Sequence, residues 1–241
     1  MIESIAGMIR PFLWAHRGAS AQAPENTLAA FSAALESGAD GLELDIHLTR
    51  DGVPVVIHDE TLDRTTDGLG PVARASSRQL QKLDAGSWFS ADFFDEPVPF
   101  LEDVLNTFGK QLRLNLELKD FRAGMAVLEM LGHYPAADIV VSSFDYKLLQ
   151  SLRCMDKSLS LAVLFGVGNW RHALHVAREL SACSFNPAVN RINRPMIAAC
   201  VRAGIPVFVW TVDDVPLAKS LVRAGVSGLF SNNPAALMAA F

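Results

Sequence analysis

The chain of 241 residues reads as an α/β protein folded as a (β/α)8 barrel, and three observations point there. Eight strand-like aliphatic runs alternate with eight helical patterns of about ten residues, the spacing of parallel strands joined by helical crossovers. The phrases Glu36-Ser-Gly-Ala-Asp-Gly-Leu, Arg202-Ala-Gly-Ile-Pro-Val-Phe and Arg223-Ala-Gly-Val-Ser-Gly-Leu repeat one form: a helix end, a glycine turn and an entering strand. Half of the residues are apolar and a fifth are charged, the balance of a sheet buried on both faces.

Phe12 to His16 is the first strand and Thr27 to Glu36 its helix, with Glu25-Asn26 read as the cap before it and Gly38 just past its end. Gly41 to Leu48 is the second strand. Val53 to His58 also has strand character, yet only Thr49-Arg50-Asp51-Gly52 precedes it, and a parallel crossover needs a dozen or more residues. It must turn back as a hairpin, for which Asp51-Gly52 is a strong signal. Residues 59–99 have no barrel unit of their own. They are expected to form an insertion that Trp88, Phe89, Phe93 and Phe94 fold into a small cap, within a single domain spanning 1–241.

The alternation then resumes. Further strands run from Leu112 to Leu118, Ile139 to Phe144, Leu159 to Phe165, Ala182 to Asn186, Pro206 to Val212 and Gly228 to Ser231. The helices between and around them are Leu101 to Phe108, Arg122 to Leu131, Tyr146 to Met155, Trp170 to Leu180, Pro195 to Arg202, Val215 to Arg223 and Ala235 to Ala240. Asp213-Asp214 with Pro216 marks one helix start, and Gly204 and Gly225 follow helix ends.

Composition excludes several classes of function. The net charge of −5, without a cationic stripe, argues against nucleic acid as a partner. Cys154, Cys183 and Cys200 are odd in number and unclustered, so neither a disulfide framework nor a zinc site is expected and a reducing compartment fits. Met1 to Arg10 lacks the basic and long apolar regions of a signal peptide, and no run approaches the ~20 apolar residues of a membrane span. The expectation is a cytoplasmic protein without stable membrane insertion.

Strand side chains alternate between two faces, so Glu43 and Asp45 share one face of their strand, and Asn115, Glu117 and Lys119 share one face of theirs. Because the hairpin does not count as a barrel unit, these two strands become neighbours. Three carboxylates held close together need a counter-ion, and a hard metal ion is the economical one. Active sites of such barrels lie at the C-terminal ends of the strands. His16 and Arg17 end the first strand, Lys119 follows the third, and Trp210 lies near the end of the seventh. The hairpin carries His58 back toward the same rim. Histidine, with a pKa near neutrality, suits proton transfer at such a place.

The run from His16 through Pro24-Glu25-Asn26-Thr27, followed by Glu43-Leu-Asp45 through Asp51-Gly52 and by Val55-Val-Ile-His58-Asp59, resembles the signature of the glycerophosphodiester phosphodiesterase family. Leu62 to Gly68, Ala85 to Phe89, Asn115 to Lys119, Ser143-Phe144-Asp145 and Val209 to Asp213 resemble further family segments in the family's order, so the likeness covers nearly the whole chain. It implies a TIM barrel of the PLC-like phosphodiesterase type that hydrolyses glycerophosphodiesters to sn-glycerol 3-phosphate and an alcohol. Carried over by position, Glu43, Asp45 and Glu117 are the ligands of one divalent cation, Mg2+ or Ca2+. His16 and His58 are the acid–base pair, and Arg17 and Lys119 hold phosphate. Trp210 and Phe144 would pack the glycerol carbons.

One departure stands out. Where the family usually reads Thr-Asp-x-Pro, this chain has Ser231-Asn232-Asn233-Pro234, and the change is expected to modify the rim or a helix cap. Two other functions compete on the same fold: a lysophospholipase D-like or cyclising phosphodiesterase, with Trp88 to Phe94 as an acyl trough, and a glycerophosphodiester sensor without catalysis. A metal aldolase barrel would also place carboxylates at strand ends but has no need of paired histidines. A monomer or homodimer is expected.

Overall fold

The computed structural model describes residues 10–241; Met1 to Ile9, most of the amino-terminal stretch considered above, lie outside the described residues. The first half of the chain forms β1 (Phe12–His16), α1 (Leu28–Glu36), β2 (Gly41–Leu48), β3 (Pro54–Val56), α2 (Ser77–Leu80), α3 (Leu101–Phe108), β4 (Arg113–Leu118) and α4 (Phe121–Leu131). The second half forms β5 (Ile139–Ser143), α5 (Tyr146–Met155), β6 (Ser160–Phe165), α6 (Trp170–Glu179), β7 (Ser184–Pro187), α7 (Arg194–Ala203), β8 (Phe208–Val209), α8 (Val215–Arg223), β9 (Gly228–Ser231) and α9 (Pro234–Met238).

The barrel strands pair in the order β7-β6-β5-β4-β2-β1-β9-β8, and bridges between Phe185 and Val207 and between Ala188 and Trp210 bring β8 back onto β7. All these pairings are parallel, which is the expected (β/α)8 barrel. β3 returns antiparallel on β2 as the hairpin, with Gly52 at φ +81° in its turn. β2 and β4 are neighbours in the register that sets Glu43 beside Asn115 and Asp45 beside Glu117.

The seventh barrel strand is shorter than Pro206 to Val212. Regular pairing is confined to Phe208–Val209, because the chain leaves the β9 ladder at Trp210 and rejoins it at Val212, whose N–H donates to Phe230 O at 2.8 Å.

Two apolar layers position the site. Outward-facing Leu13, Leu42, Leu44, Leu114 and Leu116 pack with Phe31, Val104 and Leu148 of the surrounding helices. Inside the barrel Trp14, Val140, Ala162 and Phe230 form a separate cluster, with Trp14 stacked on Phe230 at 5.8 Å. A Cβ at residue 41 would lie 2.5 Å from the Trp14 ring, so glycine there makes room for the indole that closes the barrel floor.

The insertion is built differently from expectation. Its core is aliphatic: Leu62, Val72, Leu80, Ala85 and Val98 close over Val55 and Ile57 of the hairpin segment. Trp88, Phe89 and Phe93 meet edge to face outside that cluster, and Phe94 is 77% exposed. Aliphatic side chains fill the face of the hairpin, and the aromatics pack among themselves beside it, with Trp88 Nε1 donating to Ala85 O at 2.8 Å.

The start of α1 also differs. Thr27 is the cap, its Oγ1 accepting from Ala30 N at 3.2 Å, while Glu25 and Asn26 turn toward the barrel mouth. Asp214 caps α8 as expected, accepting from Leu217 N at 2.7 Å. Among the described residues no helix is long and apolar enough to cross a membrane.

Candidate active site

The parallel register of β2 and β4 brings Glu43, Asp45 and Glu117 together at the C-terminal mouth of the barrel. Each offers an oxygen within 4.8 Å of the others, on strands whose alternate leucines are locked against the helices. Lys119 Nζ lies 2.6 Å from Asp45 Oδ1 and also touches Glu117, and Arg17 Nε lies 3.3 Å from Asp45 Oδ2. The Arg17 backbone N–H donates to Glu43 Oε2 at 3.1 Å.

The turn after β1 is shaped for these contacts. Arg17 and Asn26 both adopt left-handed backbone, at φ +58° and +59°, which costs a non-glycine residue roughly 1–2 kcal/mol. Both aim at the same carboxylate, since Asn26 Nδ2 donates to Asp45 Oδ2 at 2.9 Å. Between them Gly18 sits at φ +83°, where a Cβ would lie 2.7 Å from the Ala30 backbone. Only glycine lets the turn approach α1 this closely.

Three carboxylates face two cationic side chains in a buried place, and the surplus charge is unevenly shared. Burial opposes ionisation of Asp45, but Lys119 and Arg17 hold its carboxyl well below the usual range. Burial and repulsion from Asp45 and Glu117 push Glu43 well above it, and burial with Asp45 raises Glu117. A divalent cation between the three oxygens is the group this donor set fits: all ligands are hard oxygens, and it would supply the missing positive charge.

The histidines have unlike partners. His16 is partly buried, and desolvation together with the Arg17 charge lowers its pKa. Its Nδ1 is 2.7 Å from Asn232 Oδ1, and its Nε2 is 3.9 Å from Glu43 Oε2. His58 donates Nδ1–H to Asp59 Oδ1 at 2.6 Å. Asp59 accepts from Arg64 Nε at 2.7 Å, Arg64 binds both oxygens of Glu25, and Glu25 accepts from Arg17 at 2.8 Å. A chain of opposite charges thus runs from His58 to the carboxylate cluster. His47 Nε2–H donates to the His58 carbonyl at 3.1 Å and pins the hairpin end.

These groups surround a cavity of about 150 Å3. Seven of the nine residues singled out in the sequence line it: His16, Arg17, Glu43, His58, Glu117, Phe144 and Trp210. Asp45 and Lys119 stand behind them, joined by the ion pairs above. Opposite the charges, Trp210 and Phe144 meet edge to face at 5.6 Å, and Trp210 Nε1 donates to Asn186 O at 2.8 Å. Asn115 Oδ1 and Ser142 Oγ are buried at the cavity without an intramolecular partner. Trp88 to Phe94 take no part in the lining.

Sequence reasoning missed several of these partners. Asp59 adjoins His58 and was legible as a neighbour, whereas Glu25 and Arg64 are brought together only by the fold. Asn232 was read as part of the rim or a cap; the cap of α9 is Asn233, which accepts from Ala236 N at 3.2 Å, and Asn232 reaches His16 instead.

Carboxylates that suit a hard cation, with cationic side chains and two histidines beside them on one barrel mouth, define an enzyme of phosphate ester hydrolysis. Residues 16–236 match the model of the Glycerophosphoryl diester phosphodiesterase family. The chain belongs to that family and hydrolyses glycerophosphodiesters. It is 36% identical over 234 residues to a glycerophosphodiester phosphodiesterase of Caldanaerobacter subterraneus subsp. tengcongensis, covering 93% of this chain and 95% of the relative. A glycerophosphodiester phosphodiesterase of Bacillus subtilis is 32% identical over 242 residues, with 91% and 83% covered. The fold is similar to that of an Oleispira antarctica phosphodiesterase solved with its product sn-glycerol-3-phosphate, with a TM-score of 0.87, 31% identity, and 95% and 96% of the two chains covered.

Proposed function

We propose that the site splits glycerophosphodiesters such as glycerophosphocholine and glycerophosphoethanolamine into sn-glycerol 3-phosphate and the free alcohol by acid–base catalysis between His16 and His58. The observation that carries this reading is that both histidines open onto one cavity beside the acidic cluster. Glu43, Asp45 and Glu117 would hold one Mg2+ or Ca2+, which when bound neutralises charge on the phosphoryl oxygens.

The protein's own groups do the rest. Arg17 on the cavity wall and the Lys119 charge behind it draw the anionic phosphate to the mouth, and an electrostatic contribution of this kind is ordinarily the largest in such reactions. One histidine accepts a proton from the attacking oxygen, either water itself or the glycerol 2-hydroxyl with water then opening the cyclic phosphate, while the other delivers a proton to the leaving oxygen, each worth roughly 10² to 10⁴ in rate. Trp210 and Phe144 supply an apolar wall for the glycerol carbons, and the unpartnered Asn115 Oδ1 and Ser142 Oγ offer polar sites for its hydroxyls. The whole chain, 1–241, acts as one catalytic domain in the cytoplasm, as a monomer or homodimer.

Turnover across a panel of glycerophosphodiesters, with EDTA and then with Mg2+ or Ca2+ restored, tests this assignment. Release of glycerol 3-phosphate should stop on chelation and return with the hard cation; full activity in EDTA would refute the metal-dependent reading.

A further inference from the structure

We infer that Asn232, held in place by Asp213, is a positioning residue that keeps the proton of His16 on Nδ1 and leaves Nε2 as the nitrogen that exchanges protons with the substrate. The inference rests on the reading of His16 as an acid–base residue.

An amide side chain can present either its oxygen or its NH2 to a neighbour, and what lies on its far side decides. Asp213 decides here. Its Oδ1 accepts from Ser231 Oγ at 2.8 Å and from the Asn232 backbone N–H at 2.7 Å, which fixes the carboxylate beside the Asn232 side chain. Its Oδ2 lies 2.7 Å from Asn232 Nδ2 and can only accept. The Asn232 NH2 must therefore face Asp213, and its Oδ1 must face the other way.

On that other side Oδ1 meets His16 Nδ1 at 2.7 Å and the Ser20 hydroxyl at 3.0 Å. A lone pair on Nδ1 would confront the amide lone pairs at that distance, so Nδ1 carries hydrogen. The same hydrogen bond survives when His16 gains a second proton, which can then enter and leave only at Nε2. That nitrogen is the one turned toward Glu43. The series Asp213, Asn232, His16 thus transmits orientation without placing a charge on the ring, unlike the carboxylate that meets His58 directly.

Nitrogen-15 NMR of histidine-labelled protein, read beside kinetics, tests this. In the wild type, neutral His16 should show protonated Nδ1 and bare Nε2. In Asp213→Asn the new NH2 confronts the Asn232 NH2; Asn232 should turn over, the tautomer should reverse, and kcat should fall roughly 10²-fold with KM within about twofold. Adding Asn232→Asp reverses the pair, so that the amide at 213 donates to a carboxylate at 232 whose other oxygen accepts from His16, and should return both the Nδ1–H signature and kcat to within about fivefold of wild type. Asn232→Leu, which removes the acceptor, should mix the tautomers and lower kcat, and serves if Asp213→Asn does not fold. Nε2–H in wild-type His16, or a double variant no better than Asp213→Asn, would overturn the inference. Full activity of His16→Ala would instead remove the acid–base reading while leaving the measured tautomer intact.

Discussion

The two halves of the barrel treat their interiors in opposite ways. Over β1, β2 and β4 the mouth is charged, cross-linked and backed by left-handed turns at Arg17 and Asn26. Over β5, β6 and β8 it is largely apolar and carries no charge, with Phe144, Leu164 and Trp210 beside Ser142 along the same cavity. The charged half sets reacting groups at fixed distances and tolerates surplus charge to do so. The apolar half offers shape and burial, which constrain a ligand's body without acting on its bonds.

The sharpest way to break this contrast lies in the charged half. His16→Ala and His58→Ala should each lower kcat by roughly 10² to 10⁴ with little change in KM, measured by release of glycerol 3-phosphate. An equal loss from a residue of the apolar half would erase the distinction.

Cation binding comes next. Saturating Mg2+ or Ca2+, at about 100 times its Kd, should stabilise the fold by about 2.7 kcal/mol and raise Tm by about 5–10 °C. Glu117→Gln should abolish that shift, by calorimetry, while leaving the Tm in EDTA unchanged or higher, since burial and the Asp45 charge both oppose a carboxylate at that place.

In the apolar half, Trp210→Ala should raise KM about tenfold, roughly 1.4 kcal/mol, with kcat nearly kept, because a wall binds ground state and transition state alike. A loss confined to kcat would move Trp210 into the reacting half.

The smallest effect belongs to the chain of charges linking His58 to the carboxylate cluster. Burial opposes the charge of Glu25, but the Arg64 hydrogen bond and the Arg17 charge outweigh it and hold its carboxyl below the ordinary range. A depressed carboxyl contributes stability that is fully present above its unfolded pKa, about 4.3, and is lost as pH falls through the folded value. Glu25→Gln should therefore cost about 1 kcal/mol at pH 7 and flatten the acid limb of stability against pH.

Much of this was legible in the chain itself. The eight-unit alternation, the Asp51-Gly52 turn and the acidic residues at alternate positions of β2 and β4 are local patterns, and each follows from the two-residue period of a strand or the length of a crossover. The insertion's core was not legible, because Trp88, Phe93 and Phe94 are as hydrophobic as any core residue and only the aliphatic face of the hairpin selects Leu62, Val72 and Val98 instead. Thr27 displaced Asn26 as the cap of α1 for a similar reason: Asn26 is claimed by Asp45, a partner no local rule reveals.

The sequence by itself determined the barrel, the three carboxylates and the two histidines, since those depend on periodicity and on residue types at strand ends. Only the tertiary structure decided which side chains hold the histidines. Asn232 reaches His16 across 216 positions and Arg64 reaches Glu25 across 39, through contacts made by barrel closure and the hairpin's return. Such partners are set by where the folded backbone brings chain segments together, and short-range pattern carries no trace of that.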